Sequence, residues 1–239
     1  MKLDILALAA HPDDTELSCS GTLAAHIAQG YKVGVVDLTR GEMGTRGTVE
    51  IRKQEAQASA EILKLSVREN LGFEDVFFAN DKEHQLRVAA IIRKYRPHIL
   101  LANAVRDRHP DHGKAASLAT DAYFVAGLKQ VELTDEDGQV LEPWRPKAVY
   151  HYIQSNYIKP DFVVDISDVW DIKMASIRAF KSQFFNHDSA EPETYISNPE
   201  FMKMIEARAK EYGHSIGVKY GEGFTVNRNI GIKDITGLL

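Results

Sequence analysis

The stretch Ile5-Leu6-Ala7-Leu8-Ala9-Ala10-His11-Pro12-Asp13-Asp14-Thr15-Glu16 decides how this chain is read. Its first six residues form an unbroken apolar run of strand length, the pattern of a strand buried on both faces of a parallel sheet. A short loop follows, dense in carboxylates and stiffened by Pro12, and then a helical stretch over residues 17–29. Gly30 stands where a helix C-cap glycine belongs. A single lysine ahead of the apolar run faintly imitates a signal peptide. Asp4 interrupts it, however, and His11-Pro12-Asp13-Asp14 occupies the place of a small-residue cleavage site. Strand, then polar loop, is the reading that accounts for both halves.

The same unit repeats downstream. Residues 31–38 read as a second strand, joined by the glycine-rich loop Thr39-Arg40-Gly41-Glu42-Met43-Gly44-Thr45-Arg46-Gly47 to a helix over 48–65. Residues 67–71 read as a short strand, and 83–96 as a helix with Leu86, Ala90 and Ile91 on one face. Pro97 stops that helix. Residues 99–102 are again a buried strand, 103–110 a loop and 111–126 a helix. In the second half, 148–153 and 162–166 read as strands, and 168–183 and 198–212 as helices. The polar, proline-containing segment 184–197 reads as a mobile loop. With no repeat and no domain boundary, the expected fold is α/β: a single domain over residues 1–239, with a Rossmann-like, mostly parallel sheet flanked by helices. In such sheets ligands bind outside the carboxyl ends of the strands.

Composition sets the outer limits. The 239 residues are 44% hydrophobic and 26% charged, an ordinary globular balance. A chain of this length buries a core without disulfide staples. The single cysteine, Cys19, excludes an intramolecular disulfide and a cysteine-rich zinc site. A net charge of −5 argues against nucleic acid and against polybasic attachment to a membrane, and no apolar run approaches the ~20 residues of a span. We therefore expect a cytoplasmic protein with neither nucleic acid nor membrane as partner.

Two expected strand ends carry unusual chemistry. The first gives His11-Pro12-Asp13-Asp14 and the fourth gives Arg106-Asp107-Arg108-His109-Pro110-Asp111-His112. A catalytic zinc site takes three nitrogen or oxygen ligands and keeps one position open. His11 and Asp14, three apart in a stiff loop, can turn toward one point, and His112 in a first helical turn can face them. Asp13 is then left beside the metal as a general base. His109, about one helical turn from His112, can share the pocket without ligating. Asp111 is placed to orient His109 and favour its protonated form. Each segment alone is also what a proline turn or a helix cap looks like; it is their joint placement at strand ends that favours a site. His26, His84, His98, His151, His187 and His214 lack any carboxylate pattern and read as surface or satisfied core positions.

The quoted motifs resemble the LmbE/PIG-L-like family of zinc-dependent N-deacetylases. Residues 48–56 (Thr-Val-Glu-Ile-Arg-Lys-Gln-Glu-Ala), Arg108-His109-Pro110-Asp111-His112 and Gly217-Val218-Lys219-Tyr220-Gly221-Glu222-Gly223-Phe224 are most similar to the bacillithiol-biosynthesis subgroup, which deacetylates N-acetylglucosaminyl malate. The resemblance implies zinc, with iron(II) as an alternative, on His11, Asp14 and His112, and Asp13 as base. It also implies His109 paired with Asp111 as the oxyanion-stabilising acid, and Arg52 and Arg108 as substrate-binding groups. The implied partner is a small N-acetylated sugar conjugate, and the implied state a homo-oligomer such as a hexamer. Some relatives carry a tyrosine where this chain has Asp107, and Tyr195 is the candidate substitute. Either His109 or Asp13 can return the proton to the leaving amine. Other readings are deacetylation of a different amino sugar or chitooligosaccharide, and a metal- or sugar-binding module without turnover. Dinucleotide binding fails, because Asp13, Asp14 and Glu16 stand where a glycine fingerprint would have to cradle pyrophosphate.

Overall fold

The computed structural model describes residues 1–184 and 190–237. A seven-stranded sheet carries the fold, with strands in the spatial order β3 (Val67–Phe73), β2 (Val33–Thr39), β1 (Ile5–Ala9), β4 (Ile99–Ala102), β5 (Ala148–Tyr152), β7 (Gly221–Val226) and β6 (Phe162–Asp165). Strand β1 pairs in parallel with β2 and β4, and β3 and β5 extend the parallel set on either side. All of β1 is buried, and the pleat divides it. Leu6 and Leu8 face a core with Val88, Ile92 and Leu118, whereas Ile5 and Ala7 face another with Leu23, Val35 and Tyr152. Burial on both faces is why the strand is apolar throughout rather than alternating.

Helices α4 (Lys82–Tyr95) and α5 (Pro110–Ala126) cover the first face, and α2 (Ser20–Ala28) covers the second. Beside α2, the helices α3 (Val49–Leu63), α6 (Trp170–Arg178) and α7 (Pro199–Ser215) meet around Ala56, Ile177, Phe201 and Ile205. Gly30, at φ +91°, follows the end of α2 as expected of a C-terminal glycine. Among the described residues no helix is long and apolar enough to cross a membrane.

Besides the expected helix over residues 168–183, which is a 3-10 turn (Ser167–Val169) followed by α6 and ends at Arg178, two elements differ from the sequence expectation. The continuous helix over residues 17–29 is broken at Cys19 into α1 (Asp14–Ser18) and α2. The cause is competition for its backbone groups. Lys173 Nζ donates to the carbonyls of Glu16 (2.9 Å) and Leu17 (3.2 Å), and the Glu222 carboxylate accepts the N–H groups of Gly21 (3.0 Å) and Thr22 (2.6 Å). A carboxylate on the first N–H groups of a helix is favourable, so α2 starts afresh there. The second difference is β7 (Gly221–Val226), which runs antiparallel between β5 and β6 (Phe162–Asp165). Its glycines hid it, since glycine weakens a strand. Here they permit close approach: a Cβ on Gly223 would lie 2.9 Å from the Tyr212 ring.

Connections leave β1 and β4 to opposite sides of the sheet, which makes their adjacent carboxyl ends the switch point of the fold. The two loops are tied there by the Ala10 N–H donating to Asn103 Oδ1 at 3.0 Å.

Candidate active site

The loop after β1 is under conformational strain. Asp13 has φ +116°, a region that costs energy for any residue with a side chain and that clusters at functional sites. Arg52 from α3 holds it there, donating to Asp13 Oδ2 at 3.1 Å and to the carbonyls of Pro12 and Gly41. Gly41 has to be glycine on two counts. Its φ is +67°, and a Cβ would fall 2.1 Å from Arg52 Nη1. Burial raises the Asp13 carboxyl to about 7 against the opposing pull of Arg52.

Asp14 is engaged on all sides. It accepts the N–H of His11 (2.9 Å) and the amides of Asn103 (3.0 Å) and Gln154 (3.0 Å), and His112 Nε2 lies 3.0 Å from Oδ1. Burial works to raise its pKa, but His112 and His11 hold it well below the usual carboxylate range.

Each buried imidazole keeps one nitrogen on an outlying carboxylate and turns the other toward Asp14. His112 Nδ1 lies 2.5 Å from Asp107, and His11 Nε2 lies 2.9 Å from Asp75, leaving His11 Nδ1 at 3.6 Å from Asp14. Carboxylates orient metal-ligating histidines in this way. Burial alone would lower both imidazoles. Instead Asp14 and Asp107 push His112 up to about 9, and Asp111, Asp14 and Asp75 raise His11 well above its ordinary value. A buried pocket that draws protons this strongly is built for positive charge, and His11, Asp14 and His112 could hold a divalent cation in it. His109 also has a ring nitrogen within 4.8 Å of those of His11 and His112.

The structure corrects the expected pairing of His109 with Asp111. The Asp111 carboxylate is taken by the N–H of Val76 (3.0 Å), by Lys114 (2.9 Å) and by His11 (3.3 Å). Only the Asp111 N–H reaches His109, donating to Nδ1 at 3.3 Å as the cap of α5. With Nδ1 accepting, Nε2 carries the ring proton. Burial and the neighbouring His11 and His112 lower the His109 pKa against the opposing pull of Asp111 and Asp14, and a ring whose Nδ1 accepts a hydrogen bond is neutral.

These groups border a cavity of about 300 Å³ whose apolar lining is Leu17, Ile196, Phe201, Met204 and Ile205. Arg52 borders it too, but its guanidinium is engaged by the Asp13 loop. Arg208 is likewise committed, to the carbonyls of Gln154 and Leu17. Arg108 is exposed at the mouth, its guanidinium 4.3 Å over the Tyr195 ring. Asp75, Asn103, Gln154 and Arg208 were not singled out in the sequence. Asp75 had one usable signal, its position just past the end of β3. Of the histidines set aside, His151 is buried against the Asn103 carbonyl at 2.9 Å, and His187 lies outside the described residues, as do positions 185–189 of the expected mobile loop.

The family model described as PIG-L: GlcNAc-PI de-N-acetylase matches residues 6–123. A diacetylchitobiose deacetylase of Thermococcus kodakarensis is 33% identical over 230 residues, which cover 92% of this chain and 81% of that protein. A 4-oxalmesaconate hydratase of Pseudomonas putida is 32% identical over 196 residues, covering 74% of this chain and 73% of that protein. Among solved structures, a conserved protein of Thermus thermophilus superposes with a TM-score of 0.87 at 36% identity, over 98% of both chains.

Proposed function

The chain belongs to the PIG-L/LmbE family of de-N-acetylases, enzymes that hydrolyse N-acetyl amides, and from that premise we propose a zinc-dependent deacetylase of an N-acetylglucosamine conjugate. His11, Asp14 and His112 hold the cation; iron(II) also suits two imidazoles and a carboxylate. A divalent cation there supplies Lewis acidity and lowers the pKa of water toward ~7. Asp13 is the general base. One observation carries that assignment: its carboxyl is buried at the cavity wall next to Asp14 and raised to about 7. A carboxyl near neutrality takes a proton from the attacking water and returns it to the leaving nitrogen. His109, neutral and donating from Nε2, stabilises the negative charge that develops on the carbonyl oxygen. A neutral imidazole is a poor acid for the amine, which leaves that role to Asp13.

The cavity of about 300 Å³ lies at the small end of ligand pockets, room for one acetamido sugar. The rest of the conjugate then lies at the mouth, against Tyr195 and Arg108. Malate, implied by the sequence motifs, offers carboxylates. Arg108 is the cavity guanidinium with no hydrogen-bond or ion-pair partner among the described residues, and therefore the clamp for them. A second acetamido sugar, as in diacetylchitobiose, needs no such clamp. We also place the protein in the cytoplasm as a homo-oligomer, readings supported by its acidic, cysteine-poor sequence and by the resemblance; light scattering tests the second.

The experiment is a panel of N-acetylglucosamine conjugates, diacetylchitobiose included, assayed for free amine with and without chelator on protein of measured metal content. Chelator-sensitive amine release is expected. A metal-loaded protein that releases no amine from the panel, yet binds these sugars or hydrates 4-oxalmesaconate, overturns the proposal.

A further inference from the structure

The carboxylate nearest His11 Nε2 comes from neither motif loop. It belongs to Asp75, in the turn after β3, with Oδ1 at 2.9 Å. We propose that Asp75 is the positioning residue for His11, held in place by a strained Asp75–Val76 turn that Asp111 and Lys114 pin from the other side. The proposal rests on the reading of His11 as a metal ligand.

The hydrogen-bond pattern decides which carboxylate matters. Asp111 Oδ2 is also near His11 Nε2, at 3.3 Å, but that carboxylate is already shared between the Val76 N–H and the Lys114 ammonium. Asp75 spends Oδ1 on His11 and Oδ2 on the Met43 N–H at 3.0 Å, while its own N–H donates to Glu42 at 3.0 Å. A ring that donates Nε2–H to Asp75 keeps its lone pair on Nδ1, and Nδ1 is the nitrogen that faces Asp14. Asp75 therefore sets both the tautomer and the aim of the ring.

The turn that delivers Asp75 is costly. Val76 has φ +69°, a genuine outlier for a β-branched residue. Its peptide groups are gripped on both sides: the N–H by Asp111 and the carbonyl by Lys114 Nζ at 2.6 Å. Strain of this kind persists only where the surroundings over-determine it. The Met43 bond also ties His11 to the loop that walls the cavity at Met43, Gly44 and Arg46.

The rival for the same atoms is a second cation among His11, Asp75 and Asp111, whose donor atoms lie within 4.8 Å of one another. Lys114 already supplies positive charge there, so one metal per chain is expected. The test titrates metal-free protein with zinc or cobalt(II) against a chromophoric chelator, with circular dichroism as a check on folding. Asp75→Ala should weaken binding by ~10–100-fold and alter the cobalt(II) absorption, which reports ligand geometry. Asp75→Asn, which keeps an acceptor for Nε2–H, should recover part of the affinity. At saturating metal the variants should lose kcat with KM nearly unchanged. His11→Ala separates the two levels. If it binds metal like wild type, the ligand reading falls. If it loses metal while folded Asp75→Ala binds metal with wild-type affinity and spectrum, the positioning role alone falls. Two metals per wild-type chain, reduced to one by Asp75→Ala, would overturn the proposal by making Asp75 a ligand.

Discussion

The two walls of the cavity are built on opposite plans. On the inner wall His11, Asp13, Asp14 and His112 are at most 8% exposed, and each is held by neighbouring carboxylates, amides or the Arg52 guanidinium. At the mouth, Tyr195 is 50% exposed and Arg108 rests on its ring with no ion pair among the described residues. Orientation of the inner groups is fixed in advance by folding, which is what lets fixed dipoles and charges lower a reaction barrier. The mouth makes few commitments to the fold. Its side chains can be exchanged at little cost in stability, and selectivity is what they are free to tune.

The largest expected effects break the inner wall. His11→Ala, Asp14→Ala or His112→Ala should each lose most bound metal and nearly all turnover, because a three-ligand site cannot spare one. Metal content and amine release on the same preparation check this. Full occupancy in any variant removes that residue from the donor set.

Next in size are changes that spare the donors. Asp13→Asn should keep the metal and lose ~10² or more in kcat, and His109→Ala should lose ~10²–10³ as an oxyanion donor. Turnover of Asp13→Asn close to wild type at saturating substrate contradicts its role as base. Asp111→Asn should act chiefly through His11, Val76 and Lys114, weakening metal binding, while the loss of its through-space pull lowers the His109 pKa further.

A smaller effect follows from His112. Its folded-state pKa of about 9 lies above the ordinary 6.5 of an unfolded chain. The protonated ring therefore stabilises the metal-free fold fully below pH ~6.5, and this contribution is lost as pH rises through 9. A cation needs the neutral ring, so metal affinity should run the other way, rising up to ~tenfold per pH unit across that window for each proton displaced. Chelator competition at pH 6.5, 7.5 and 8.5 measures it. A pH-independent affinity would show that His112 binds no proton there.

What the sequence revealed follows the same division. β1 was legible because burial on both faces makes a strand uniformly apolar, and His11, Asp13, Asp14 and His112 were legible because their motifs sit at strand ends. The break at Cys19 was not, because it is made by Lys173 and Glu222, partners far along the chain. Asp75 and Gln154 are single polar residues whose meaning comes from the side chain they meet across the sheet edge. The sequence motif pairs Asp111 with His109, two residues before it, whereas the fold brings its carboxylate to His11. Adjacency in sequence predicts a backbone cap better than a side-chain partner. That is how Asp111 comes to meet His109 through its N–H alone.

The smallest expected effect lies at the mouth and bears on substrate choice. Arg52, expected with Arg108 as a substrate-binding group, is committed to Asp13 and the carbonyls of Pro12 and Gly41, so Arg52→Lys should lower kcat on any substrate. Arg108 is different. An exposed guanidinium–carboxylate contact contributes about 1 kcal/mol, or ~5-fold. Arg108→Lys should therefore raise KM about 5-fold for N-acetylglucosaminyl malate, since lysine cannot reproduce the bidentate fork. For diacetylchitobiose, which offers no carboxylate, KM should stay within ~2-fold, and kcat should hold for both if the contact is equal in ground and transition states. Equal losses on both substrates would make Arg108 a support for Tyr195 rather than a clamp. A preference for the malate conjugate would then have to arise elsewhere on the cavity wall.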